Sequence, residues 1–149
     1  MILDERLEFA DDAAVAVGVG TALLGDVIDL GGPARDIGVG KALMFVVQVT
    51  QTFTSAGAAT VEFTLASDAQ AAIAVDGTAT VHYRSGAQVL ANLSIGKAPV
   101  VIGTPRQGAV YERYLGVVVT VATAALTAGK VNAFLTSDYA KFQAYHNAY

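Results

Sequence analysis

Two histidines, five serines and thirteen acidic side chains are the stock from which this 149-residue chain could build a reactive site. The chain has no cysteine, which excludes a disulfide framework and a thiolate metal site. His82 and His146 stand alone in the sequence, with no close acidic partner, and two histidines cannot form a His-rich metal centre. A packed or surface imidazole is the simpler reading of each. A Ser-His-Asp triad is not tied to residue order. No serine, however, sits in a Gly-x-Ser-x-Gly elbow. The acids gather at 4–12 and 26–36, with Glu62 and Glu112 apart from those clusters. Glu112 lies between Tyr111 and Arg113, where a solvated or ion-paired carboxylate is expected rather than half of a glycosidase pair.

The glycine patterns carry no more chemistry than the histidines. Gly38-Val39-Gly40-Lys41 resembles part of a phosphate loop, but Arg35 stands where the leading glycine should be and Ala42 where Ser or Thr should follow. Gly18-x-Gly20 with Gly25 misses the dinucleotide spacing. Asn92-Leu93-Ser94 is a sequon that reads as chance without an export signal. The expectation is therefore no enzyme, no cofactor and no metal.

The elements that would position these residues read as short β runs between glycine-rich turns. Ala14–Val19 is a weak strand and Val27–Leu30 a short one closed by Gly31-Gly32-Pro33. Leu43–Val49 is apolar almost throughout, as in a strand buried on both faces. Thr60–Leu65 alternates Val61, Phe63 and Leu65 against Thr60, Glu62 and Thr64, the mark of one wet face. Residues 66–80 are alanine-rich and ambiguous, with Asp76-Gly77 signalling a turn. Ala79–Tyr83 is a candidate edge strand, followed by weak candidates at Val89–Ile95 and Pro99–Ile102. Tyr111–Ala122 is the second strong strand, Thr127–Lys130 a turn, and Val131–Ser137 the last strand. Asp138 at an N-cap position and the spacing of Tyr139, Phe142 and Tyr145 predict a short C-terminal helix. The pattern is a single all-β domain over 1–149: a two-sheet antiparallel sandwich of about eight strands, jelly-roll-like or immunoglobulin-like. An arm (1–12) precedes it and a tail (138–149) follows.

Composition narrows the function classes. A net charge of −4, with Lys and Arg scattered singly, excludes the basic footprint of a nucleic-acid binder. Hydropathy invites a membrane reading, but the longest uncharged stretches, Ala42–Val61 and Tyr114–Gly129, are broken by Thr, Gln and Gly. The acidic opening is unlike a secretory signal, so the reading is a soluble chain made without export. Hydrophobic residues still make up 54% of the chain, and a surface covered in an assembly would absorb that excess.

Four strings carry a resemblance: Met1-Ile2-Leu3-Asp4-Glu5-Arg6-Leu7-Glu8-Phe9, Val27-Ile28-Asp29-Leu30-Gly31, Arg35-Asp36-Ile37-Gly38-Val39-Gly40 and Leu126-Thr127-Ala128-Gly129-Lys130-Val131. In this order they resemble the capsid cement (decoration) proteins of short-tailed bacteriophages, over most of the chain and least over 66–100. The resemblance implies a jelly-roll-like sandwich on the outside of a virion. Its partner would be an HK97-type phage major capsid protein, and it would sit there as a homo-dimer or homo-trimer. No catalysis, cofactor, nucleic acid or membrane is implied.

Contacts with the shell or with another copy are expected from Ile2, Leu3, Leu7 and Phe9 of the arm. Arg35 and Asp36 would contribute from the loop 31–41, and Tyr139, Phe142, Tyr145 and Tyr149 from the tail, since edge-lying segments and aromatic anchors carry such interfaces. Removing residues 1–9 should then weaken shell binding and leave a folded sandwich. An enzyme on a sandwich or barrel, which would need His82 and two carboxylates in one pocket, rivals this reading but has no recognisable acid, base, nucleophile or metal set, and two further rivals stand beside it. One is a carbohydrate-binding sandwich using Tyr83, Tyr111 and Tyr114 as stacking rings. The other is a different head or tail structural protein of a phage.

Overall fold

The computed structural model describes residues 5–15, 18–32, 43–103 and 110–137, without the side chains of 101–103. Two antiparallel sheets face each other. One has the order β1-β9-β3-β7 and the other β2-β8-β4-β5, with a two-residue β6 beside β4. The strands are β1 (Glu8–Ala14), β2 (Gly20–Asp29), β3 (Met44–Ser55), β4 (Thr60–Asp68), β5 (Thr80–Arg84), β6 (Gln88–Val89), β7 (Val100–Gly103), β8 (Tyr114–Ala122) and β9 (Leu126–Thr136). With β6 set aside, successive strands change sheet at every step except β4 to β5, which is the winding of a jelly roll. Two 3-10 turns, Glu5–Leu7 and Leu90–Asn92, are the helical elements among the described residues. None of the described helices is long and apolar enough to cross a membrane.

Alternation explains the inner layer. Val61, Phe63 and Leu65 of β4 meet Phe45 and Val47 of β3, Val117 and Val119 of β8, and Val131, Ala133 and Leu135 of β9 in one buried cluster. Each Val, Leu and Phe among them contributes roughly 1.5–3 kcal/mol through burial, so the middle of the sandwich dominates the fold. β3 is buried on both faces at its start, where Phe45, Val46 and Val47 are at most 1% exposed. A second, smaller cluster lies on the outer face of the β2-β8-β4-β5 sheet. There the connection from β4 to β5 folds back and seats Ile73 on Ala66 and Val118. Gly116 makes this seat possible, since a Cβ there would come within 2.6 Å of the Ile73 Cδ1.

Several expectations change. The weak strand expected at Ala14–Val19 is instead β1, which starts at Glu8 and ends at Ala14. Leu7 and Phe9 therefore belong to the sandwich and not to a free arm: Phe9 is 1% exposed and packs edge-on against Phe45 at 6.0 Å, and Leu7 packs on the same cluster. Thr127–Lys130, expected as a turn, lies inside β9. The Val89–Ile95 candidate is β6 followed by a 3-10 turn. The tail 138–149 with its predicted helix, and with Tyr139, Phe142, Tyr145 and Tyr149, lies outside the described residues, as do Ile2, Leu3, Arg35 and Asp36.

Candidate functional site

The polar chemistry of the interior converges where β4, β5 and the strap Val110–Arg113 meet, just ahead of β8. β4 continues its inward phase from Val61, Phe63 and Leu65 to Ser67, which is fully buried. β5 pairs Tyr83 with Leu65 and then Val81 with Ala66, so His82 is the extra residue of a β-bulge. Bulges re-aim side chains. Here the His82 Nε2 lies 2.7 Å from the Ser67 Oγ.

The strap closes the cluster. The Glu112 backbone N–H donates to Ser67 Oγ at 3.0 Å, and the Thr80 hydroxyl donates to Glu112 Oε1 at 2.5 Å. Tyr111 stacks on the imidazole with centroids 3.8 Å apart and planes within 14°. Ser67 Oγ accepts from Glu112 and keeps both its own proton and a second lone pair for His82 Nε2, so the pair can bond with either imidazole tautomer. Burial pushes the His82 pKa below its ordinary value, against a smaller opposing pull from the Glu112 carboxylate. Burial likewise raises the Tyr111 phenol.

A Ser–His contact of this length is the geometry of an activated nucleophile. Two features set this pair apart from one. Ser67 is 0% exposed, so a substrate carbonyl has no approach to its Oγ. The Glu112 carboxylate is held by Thr80, and what Glu112 gives the pair is its backbone N–H. The cluster satisfies buried polar atoms and ties the strap to the sheet.

The strap's other end is tied to β2. Arg113 makes two hydrogen bonds to the Asp29 carboxylate, at 3.0 and 2.9 Å, and its carbonyl accepts from the Leu30 N–H. The Arg113 bonds and then the Gly31 N–H lower the Asp29 pKa to about 2. The guanidinium also lies 5.0 Å over the Tyr114 ring. The three tyrosines of the carbohydrate reading are thus engaged by different neighbours: Tyr83 by the core, Tyr111 by His82, Tyr114 by Arg113.

A hollow of about 240 Å³ lies on the outer face of the β2-β8-β4-β5 sheet, beneath the β4–β5 connection. Its polar side chains are already paired within the protein: Thr21 with Thr120, Thr64 and Arg84 with Glu62, Asp76 with Thr78. A third polar knot lies on the outer face of the other sheet. Asp12 accepts from Lys130 Nζ at 2.6 Å and from the Thr50 hydroxyl at 2.8 Å, while its N–H donates to Asn132. Among the described residues no group of His, Cys, Asp or Glu could hold a metal ion.

The sequence placed His82 on an edge strand and Glu112 between two neighbours, but it did not bring them together. Ser67 was missed. Its signal is a serine continuing the inward phase of β4, which needs a buried partner.

A family model described as Bbp16 matches residues 9–135, from the second residue of β1 almost to the end of β9. No curated protein matches the chain.

Proposed function

The chain belongs to the Bbp16 family, and from that premise we propose that it is a structural protein of a phage virion, binding the outside of an icosahedral shell and cementing neighbouring major capsid protein subunits. The observation that carries the reading is the match over residues 9–135, since Bbp16 points to a phage-related protein and the match spans both sheets. The resemblance of the opening, Val27–Gly31 and Leu126–Val131 strings to capsid cement proteins supplies the finer role.

The fold supports it physically. A protein that bridges two capsomers adds its binding free energy to the cost of separating them, and many bridges act together. Such a bridge must resist shear. Here the sheets share one close-packed core, and side-chain pairs cross-link the strands on both outer faces. In this reading the protein is not an enzyme. In this reading the contacts fall to Ile2 and Leu3, Arg35 and Asp36, and Tyr139, Phe142, Tyr145 and Tyr149.

Co-sedimentation with expanded heads that lack the protein, followed by imaging, tests this. Saturable binding at regular positions between capsomers is expected. Folded protein that stays in the supernatant at every concentration would overturn the reading.

A further inference from the structure

We propose that the tail 138–149 lies across the outer face of the β1-β9-β3-β7 sheet, seated by Tyr139 and Phe142 on Phe134 and Val46. The inference does not rest on the capsid reading.

Two outward residues are dry where alternation alone would leave them wet. Phe45, Val47, Ala133 and Leu135 belong to the core cluster, so Val46 and Phe134 between them face the other way. Val46 pairs with Phe134, and Glu8 of β1 and Val101 of β7 stand at the same register position on either side. One step along the same outer face lies the polar pair Gln48 and Asn132, with Gln48 exposed. Val46 and Phe134 are instead 1% exposed, and neither belongs to either core cluster. Strand neighbours flank a side chain and do not lie over it. Both residues are buried within a single chain, so their cover is the chain's own.

The tail fits that place by position, chemistry and length. It follows β9 directly after Thr136, which is itself a buried outward residue paired with Met44. It carries Tyr139, Phe142, Tyr145 and Tyr149, and aromatic rings bury large areas. The spacing of these residues predicts a helix with the rings on one face. From β9 past β3 to β7 is two strand spacings of about 4.8 Å, which a helix rising about 1.5 Å per residue crosses in roughly six or seven residues. Tyr139 and Phe142 then fall over Phe134 and Val46. Tyr145 and Tyr149 fall at the β7 edge or past it, which leaves them to a neighbouring molecule. The arm is the rival occupant. The Glu5–Leu7 turn, however, leads it into the core through Leu7 and Phe9, and Ile2 and Leu3 offer less apolar surface than two rings.

The chain has no tryptophan, so Phe142→Trp in the full chain gives a single fluorescent probe. Its reference is a synthetic peptide of residues 138–149 with the same substitution. In the protein, emission should move to shorter wavelength and acrylamide quenching should be several-fold weaker than in the peptide. Adding Val46→Lys places a charge in the seat without touching the inner core, and should return quenching to the peptide's value. Quenching in the protein equal to the peptide's would overturn the proposal. So would shielding that Val46→Lys leaves unchanged, since the ring is then covered elsewhere. Shielding lost on dilution would give the seat to a second copy and overturn it too. If Val46→Lys does not fold, NOEs between the Val46 methyls and the introduced indole decide, their presence supporting the seat and their absence removing it.

Discussion

Asp12 and Ser67 each sit at the centre of a polar knot that ties one element to the sheets, yet they do so in opposite surroundings. Asp12 gathers Lys130, Thr50 and Asn132 on an outer face, with both members of its ion pair open to water. Ser67 gathers His82 and the Glu112 N–H where it has no exposure at all. The bond lengths are alike, and the consequences of breaking them are not. Water replaces whatever Asp12 loses, and ion pairs of this kind contribute little. Ser67 is fully buried, so its loss takes the shared partner from the part-buried Glu112 N–H and His82 Nε2 at a place water reaches poorly. A third anchor, Phe9, belongs to the same strand as Asp12 and faces the core.

Three substitutions separate these anchors, read as midpoint shifts in urea unfolding at pH 7. Phe9→Ala should cost most, about 3–5 kcal/mol, because it empties a site against Phe45 that the surrounding sheets cannot fill. It would show that β1 is held by its apolar side chain rather than by the Asp12 knot. Deleting residues 1–9 should destabilise to a similar degree, which turns the truncation from a binding test into a folding test. Ser67→Ala should cost about 1–3 kcal/mol, because it takes the partner from two part-buried polar groups, the Glu112 N–H and His82 Nε2. A loss no larger than that of an Asp12 variant would break the comparison.

The sequence made the middle of the sandwich legible and the ends illegible, for physical reasons. Thr60–Leu65 and Leu43–Val49 announced β4 and β3 because period-two alternation and unbroken apolar runs are local signals of burial. Residues 127–130 misled because Gly129-Lys130 resembles a turn. In the structure Gly129 is a strand residue beneath the Phe53 ring, where a Cβ would lie 2.6 Å from the ring edge. A glycine needed for close approach and a glycine needed for a turn look the same in a sequence. The site was hidden for a different reason. Ser67 and Glu112 are 45 positions apart, and the bulge that aims His82 at Ser67 has no periodic signature.

The smallest effect sharpens the comparison most. Asp12 holds a positive φ of 45°, so the residue combines a backbone role with a charge role. Asp12→Gly removes the carboxylate and relieves the backbone, whereas Asp12→Ala removes the carboxylate and keeps the strain. The glycine variant should therefore be the more stable of the two. Hydrogen bonds from Lys130 and then Thr50 hold the Asp12 pKa below 3.8, so its contribution is present above that value and fades as pH falls through the depressed one. The gap between wild type and Asp12→Asn should close across that acid window. It should also narrow in 1 M salt, where screening acts over about 3 Å. The Ser67→Ala deficit rests on a buried neutral bond and should survive the same salt unchanged, and equal salt sensitivity in both variants would mean that the two knots differ only in place.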